Sequence, residues 1–177
     1  MYKRQVTDVA AGDRVAWVGG AASYATHTRL PAASVFVLPE AFDLDVAAAL
    51  PLQGLTAHYL IDGVHPLGPG DTCLIHAAAG GTGRLMVQMA KLRGATVIAT
   101  AGSPAKVDHA RSAGADHVID YVQHPPTEGL VAAIEAIVGP DAIDVVYDGV
   151  GAATFDAGLA VLRTRGTMAT FGNASGP

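Results

Sequence analysis

Three glycines fall within four positions, Gly80, Gly81 and Gly83, between the apolar run Thr72–Ala77 and the amphipathic stretch Thr82–Leu92. On the spacing G-x-G-x-x-G, the text "AAGGTG" supplies Ala78, Gly80 and Gly83, with Ala in the first glycine's place and Gly81 as an additional glycine. Gly80 would let an anion approach backbone N–H groups, and Gly83 would let the helix lie close on the strand. A short glycine turn also serves plain strand–helix packing. Its place after a strand and before a helix favours the other use, a dinucleotide pyrophosphate seated on the helix N-terminus.

The same rhythm continues down the chain. Leu85, Met89 and Leu92 share one face of the first helix. Further β-runs are expected at Thr96–Thr100, His117–Tyr121, Ile143–Gly151 and Gly166–Gly172, alternating with helices at Pro104–Ala113, Gly129–Val138 and Thr154–Leu162. Short apolar strands alternating with amphipathic helices predict an α/β fold, a doubly wound parallel sheet covered on both faces.

Upstream the text differs. From Val6 to about Ala49 it is turn-rich, with short strands expected within Gly12–Gly19, Ala22–Pro31 and Ser34–Glu40, a fragment of a small β-barrel. Asp43–Ile61 reads as two helical pieces, with Asp43 or Asp45 as cap and a break near Pro51 and Gly54. Three segments follow: 1–49 barrel-like, 50–70 connecting helix and turn, and 71–177 the parallel sheet. The basic start "MYKRQ", Met1–Gln5, lacks an apolar h-region and reads as non-native or as an arbitrary start inside a longer protein.

The second strand of the sheet ends in "ATAGSPAK". A site selective for NAD places Asp or Glu about 20 residues beyond the glycine turn, to hold the ribose 2′-OH. Here that place holds Thr100, Ala101, Gly102 and Ser103, with Lys106 following. Missing acid and available ammonium both suit a 2′-phosphate, so NADPH is the expected cofactor. The plainer reading makes Ser103-Pro104 a helix start and Lys106 a solvated side chain.

Composition removes other classes. The net charge is −5 and no Lys/Arg block could track a phosphate backbone, so nucleic acid is not an expected partner. One cysteine, Cys73, leaves no internal disulfide and no cysteine-based zinc cluster. No apolar stretch approaches 18 residues, so no membrane span is expected, and the setting is read as cytoplasmic. The seven histidines are scattered without ligand spacing, so no metal is expected.

Taken with "AAALPLQGLTAHYLI", "VVYDGVG" and "FGNASGP", these residues resemble the zinc-independent, zeta-crystallin-like quinone oxidoreductases of the medium-chain dehydrogenase/reductase superfamily. The resemblance covers nearly the whole chain after Gln5. It implies part of a GroES-like catalytic domain followed by a Rossmann domain, and NADPH-dependent reduction of a quinone or related enone. It also implies site residues: Thr56 near the nicotinamide and the pyrophosphate turn, with Gly80, Gly81, Thr82 and Gly83 forming that turn. Gly102, Ser103, Lys106 and Tyr121 would surround the adenosine 2′-phosphate. Gly149, Val150 and Gly151 would approach the cofactor after the fourth strand, and Phe171, Gly172, Asn173 and Ser175 after the fifth. Simpler roles exist for each: a helix bond for Thr56, a sheet-edge cover for Tyr121, core for Phe171, turn-shaping for Asn173 and Ser175.

Family members extend further in both directions, so the resemblance implies a truncated Rossmann domain, a full-length parent that is a homodimer, and substrate-facing residues outside this text. Apolar surface is expected to be exposed beside Val6–Val37. The substrate class implied is a small-molecule quinone or enone. Alternatives are an enoyl-thioester or alkenal reductase of the same superfamily, and a non-catalytic, crystallin-like NADPH-binding module. No catalytic residue is assigned: Tyr24 and Tyr59 have no supporting motif, and Asp148 is expected to cap the turn after its strand.

Overall fold

The computed structural model describes residues 6–19, 23–124 and 127–176; Met1–Gln5, and with it the reading of that start, lies outside them. The chain divides into two compact units, Met1–Leu55 and Thr56–Pro177.

In the first unit, strand β1 (Val15–Trp17) pairs antiparallel with β2 (Val35–Val37), Ala16 opposite Phe36. The ladder continues one bond further, from the Leu38 N–H to the Arg14 carbonyl, and stops before Pro39, which has no N–H to give. The Arg14 guanidinium then donates to the carbonyls of Glu40 and Phe42, fastening the chain after β2. The strand expected within Ala22–Pro31 does not form in the described part, 23–31. Among the described residues no strand pairs with it, and an alternating pattern alone cannot hold an extended segment. Val6, Phe36 and Val37 are exposed, as expected for this stretch.

Helix α1 (Leu44–His58) corrects a second expectation, because it runs through Pro51 without a break. Pro51 lies in its third turn, where it forfeits the bond to the Ala47 carbonyl but leaves the rest of the ladder in place. Of the two candidate caps Asp43 serves: its Oδ1 accepts the N–H groups of Asp45 (2.8 Å) and Val46 (2.9 Å). The division between the units falls inside α1. After His58 the helix widens into a π-turn, Tyr59–Val64, whose Leu60 and Ile61 are buried.

The second unit is built on a five-stranded parallel sheet: β3 (Thr72–Ile75), β4 (Thr96–Ala101), β5 (His117–Asp120), β6 (Ile143–Asp148) and β7 (Leu162–Thr170). Helices α2 (Gly81–Leu92), α3 (Pro104–Ser112), α4 (Glu128–Val138) and α5 (Phe155–Val161) connect them. The order across the sheet is β5-β4-β3-β6-β7, so the winding reverses between β3 and β6. Alternate residues feed two cores, as a parallel sheet covered on both sides requires. Cys73, Ile75, Val97, Ala99, Val145 and Tyr147 pack with α2 and the π-turn. Leu74, Ile98, Ile119, Ile143 and Val146 pack with α4 and α5. The expected strands and helices of this unit are all present. β7 begins earlier than expected, at Leu162, and absorbs the difference in an irregular register opposite Ile143 and Val145.

Candidate nucleotide site at the strand tips

In an open α/β sheet the crevice beyond the carboxyl ends of the strands, at the point where the order reverses, is where ligands settle. The sequence-predicted residues other than Thr56 collect there. Thr56 comes from the last turn of α1, half-buried.

The chain leaves β3 through His76, whose N–H bonds the Tyr147 carbonyl at 3.0 Å. Ala78 N–H bonds the Thr100 carbonyl at 3.0 Å, and between them Ala77 takes a left-handed conformation with φ 52°. Gly80 N–H closes a turn onto the Ala77 carbonyl at 2.9 Å. Gly80 is extended and no side chain caps the N-terminus of α2. The first amides of a helix have no partner within it, so Gly81, Thr82 and Gly83 offer N–H groups and the positive end of the helix dipole to an anion. Gly80 and Gly81 are exposed while Gly83 is buried, which separates their duties.

At the tip of β4 the structure brings Gly102 and Tyr121 together. A Cβ on Gly102 would collide with the phenol end of Tyr121, 2.7 Å from its Cζ. Ser103 is the N-cap of α3, its hydroxyl accepting the Lys106 N–H at 3.4 Å, so its own O–H remains free to donate. Lys106 is exposed on the first turn of α3, with no acidic partner among the described residues.

The loops after β6 and β7 are sewn together. A Cβ on Gly149 would stand 2.9 Å from the Phe171 ring, and one on Gly172 would stand 2.7 Å from the Gly149 carbonyl. Ser175 donates its N–H and its hydroxyl to the Val150 carbonyl, both at 2.8 Å, and its hydroxyl accepts the Ala153 N–H at 3.0 Å. Gly151, with φ 89°, lies against Gly176 and against Asn173, whose Cα would be 3.0 Å from an added Cβ.

Asp148 has the capping role expected of it. Completely buried, it accepts the N–H groups of Val150 (2.7 Å) and Gly151 (3.1 Å) and the Thr154 hydroxyl (2.9 Å). Sequence reasoning passed over His76, which it grouped with the scattered histidines. His76 is buried, its Nδ1 lies 3.0 Å from the Thr100 hydroxyl, and its Nε2 meets no partner among the described residues. Burial lowers it from an ordinary 6.5 to about 4, against the opposing pull of the Asp148 carboxylate, so the ring is neutral at physiological pH. The available signal was positional: a polar residue ending an apolar strand immediately before the glycine turn. Tyr24 and Tyr59 are exposed and far in sequence from this cluster.

Residues 81–177 match the family described as zinc-binding dehydrogenase. Among the described residues no three His, Cys, Asp or Glu side chains are grouped to hold a metal ion. The chain is 40% identical over 97% of its length to a 2-haloacrylate reductase of Burkholderia and, at the same identity and coverage, to quinone oxidoreductase 1 of Escherichia coli K12. Both alignments take in 51% of the relative. The crystal structure of Escherichia coli quinone oxidoreductase complexed with NADPH superposes with a TM-score of 0.90, at 39% identity, over 97% of this chain and 52% of that one. The chain therefore spans about half the length of the curated relatives it matches.

Proposed function

Because the chain belongs to the quinone oxidoreductase group of the medium-chain dehydrogenase/reductase superfamily, we propose that it binds NADPH across the tips of β3, β4, β6 and β7 and serves hydride transfer to a quinone or similar α,β-unsaturated carbonyl. The observation that carries this reading is the uncapped, glycine-lined start of α2 at the reversal of strand order. NADPH, when bound, supplies the hydride.

The chain's own residues divide the work. Amides of Gly81, Thr82 and Gly83 hold the pyrophosphate beside Gly80, where a side chain would stand in the way. Lys106, the free O–H of Ser103, Gly102 and Tyr121 receive the 2′-phosphate. Gly149, Val150, Gly151, Phe171, Gly172, Asn173 and Ser175 wall the nicotinamide half and exclude water from it. The sewing of the two loops by Ser175 supports this, since a wall that must keep its shape gains from bonds at both edges.

Family membership also supports reading 1–49 as part of a GroES-like domain, 50–70 as the connection and 71–177 as the Rossmann domain. It supports a cytoplasmic homodimer as the working form. No helix among the described residues is long and apolar enough to cross a membrane.

The 2-haloacrylate reductase relative favours a second acceptor, an alkene activated by a carboxylate. There a hydride would add to the β-carbon and a proton to the α-carbon, saturating the C=C bond. Enoyl-thioesters ask for the same step, and an enoyl reductase superposes with a TM-score of 0.68 over 78% of this chain. Loss of NADPH absorbance in the presence of 1,4-benzoquinone, 2-chloroacrylate or crotonyl-CoA separates these acceptors. Oxidation with benzoquinone above the other two supports the quinone reading. Tight NADPH binding with no turnover of any of the three would replace it with a non-catalytic binding module.

A further inference from the structure

Apart from tyrosine and cysteine, four polar side chains are buried among the described residues: His76, Thr100, Asp148 and Thr154. All four lie at one end of one sheet. Ile75 pairs with Ala99 on one side and Tyr147 on the other, so the next residue, His76, comes level with Thr100 and Asp148. Neighbouring residues of parallel strands in register project to the same face, and the 3.0 Å His76–Thr100 bond is the result.

Thr100 is held to the residues on both sides of Ala77. Its hydroxyl meets the His76 ring, and its carbonyl takes the Ala78 N–H. Ala77, between these two fastenings, has φ 52°, a conformation unfavourable for any residue with a Cβ. Such a conformation persists where its flanks are fixed. Ala77 in turn sets the site, because its carbonyl receives the Gly80 N–H and its oxygen is the surface on which Gly83 packs.

A ring kept only for bulk would be better replaced by a hydrocarbon, since Nε2 is buried without a partner among the described residues. The use of the imidazole is therefore on its Nδ1 side. We propose, on the basis of the nucleotide reading above, that His76 is a positioning residue: through Thr100 it locks the turn Ala77–Gly83 in the form that receives the pyrophosphate. It touches neither cofactor nor substrate in this role.

The test is NADPH titration of the unaltered chain and of His76→Leu, Thr100→Val, the double variant and His76→Asn, with amide exchange followed over the turn. His76→Leu and Thr100→Val should each weaken NADPH roughly 5- to 10-fold, the loss of one buried hydrogen bond. The double variant should be no weaker than either single one, as residues acting through one bond require. Exchange at the bonded amides of Ala78 and Gly80 should quicken in both single variants before any nucleotide is added. His76→Asn, whose side-chain amide can place a polar atom where Nδ1 stands, should restore both affinity and protection. Should His76→Leu fail to fold, Thr100→Val carries the same comparison. Unchanged affinity and exchange in Thr100→Val, or losses that add in the double variant, would overturn the inference while leaving NADPH binding in place. Failure of the unaltered chain to bind NADPH would instead remove the functional reading, and this inference with it.

Discussion

Gly83 rests directly on the turn it follows: a Cβ there would stand 2.5 Å from the Ala77 carbonyl oxygen and 2.8 Å from the Ala78 Cα. Both obstacles are backbone, so neither can swing aside. Gly83→Ala should push α2 off β3 and cost about 1–3 kcal/mol, the usual range for overpacking. At Gly80 the corresponding distance to the Ala77 oxygen is 3.3 Å, and the position is exposed. Gly80→Ala should stay within about 1 kcal/mol of the parent yet weaken NADPH, because the methyl occupies the path to the amides. Urea unfolding beside nucleotide titration distinguishes the two.

Asp148 and Thr154 make a second pair whose loss can be read. Removing the carboxylate leaves two N–H groups and a hydroxyl without their acceptor, in a place closed to water. Asp148→Ala should cost about 2–4 kcal/mol and Thr154→Val about 1–2 kcal/mol. A double-mutant cycle by chemical denaturation should show less than additive loss, since both changes break one network.

Acid should act in two stages. His76 has a folded-state value near 4 against an ordinary 6.5, because burial disfavours the imidazolium. An unfolded chain binds that proton first, so the stability tied to the neutral ring is complete above 6.5 and is lost as pH falls toward about 4. The loss should approach about 3 kcal/mol at most. Asp116 and Asp144 follow lower down. Partial burial pushes each carboxylate up, but Lys91 and the Val97 N–H at Asp116, and the Thr72 N–H and Arg163 at Asp144, outweigh it and hold both below 3.8. Their contribution is present above that value and disappears beneath it. Denaturation midpoints of His76→Asn should therefore fall less steeply than those of the parent between about pH 7 and pH 4.

Cys73 should be inert. It is fully buried in β3, and burial, reinforced by the Asp116 charge, pushes its thiol up to about 12. Alkylation by iodoacetamide at neutral pH should be negligible in the folded chain and fast in denaturant, because the thiolate is the reacting species.

The sequence carried most of the second unit because its strands are short apolar runs with nothing else to become. Leu74, Ile98 and Val146 are buried whichever face they take, and the glycine turn fixes where the first helix begins. Less was legible where tertiary partners decide. Residues 23–31 have a strand's alternation but no paired strand among the described residues, while Pro51 marks a break that α1 does not make because the rest of its ladder holds. At the site, Gly83 and Asp148 could be read from position alone. His76 could be flagged by its place before that turn but not interpreted, because its meaning depends on a cross-strand partner 24 residues away.

Calorimetric titration of the chain with NADPH and NADH side by side tests most directly whether a phosphorylated dinucleotide is held at the strand tips. NADPH should bind at least about tenfold more tightly, the contribution of one charge-assisted contact, and Lys106→Glu should erase most of the difference. Equal affinity for the two nucleotides, or no binding of either, would contradict it.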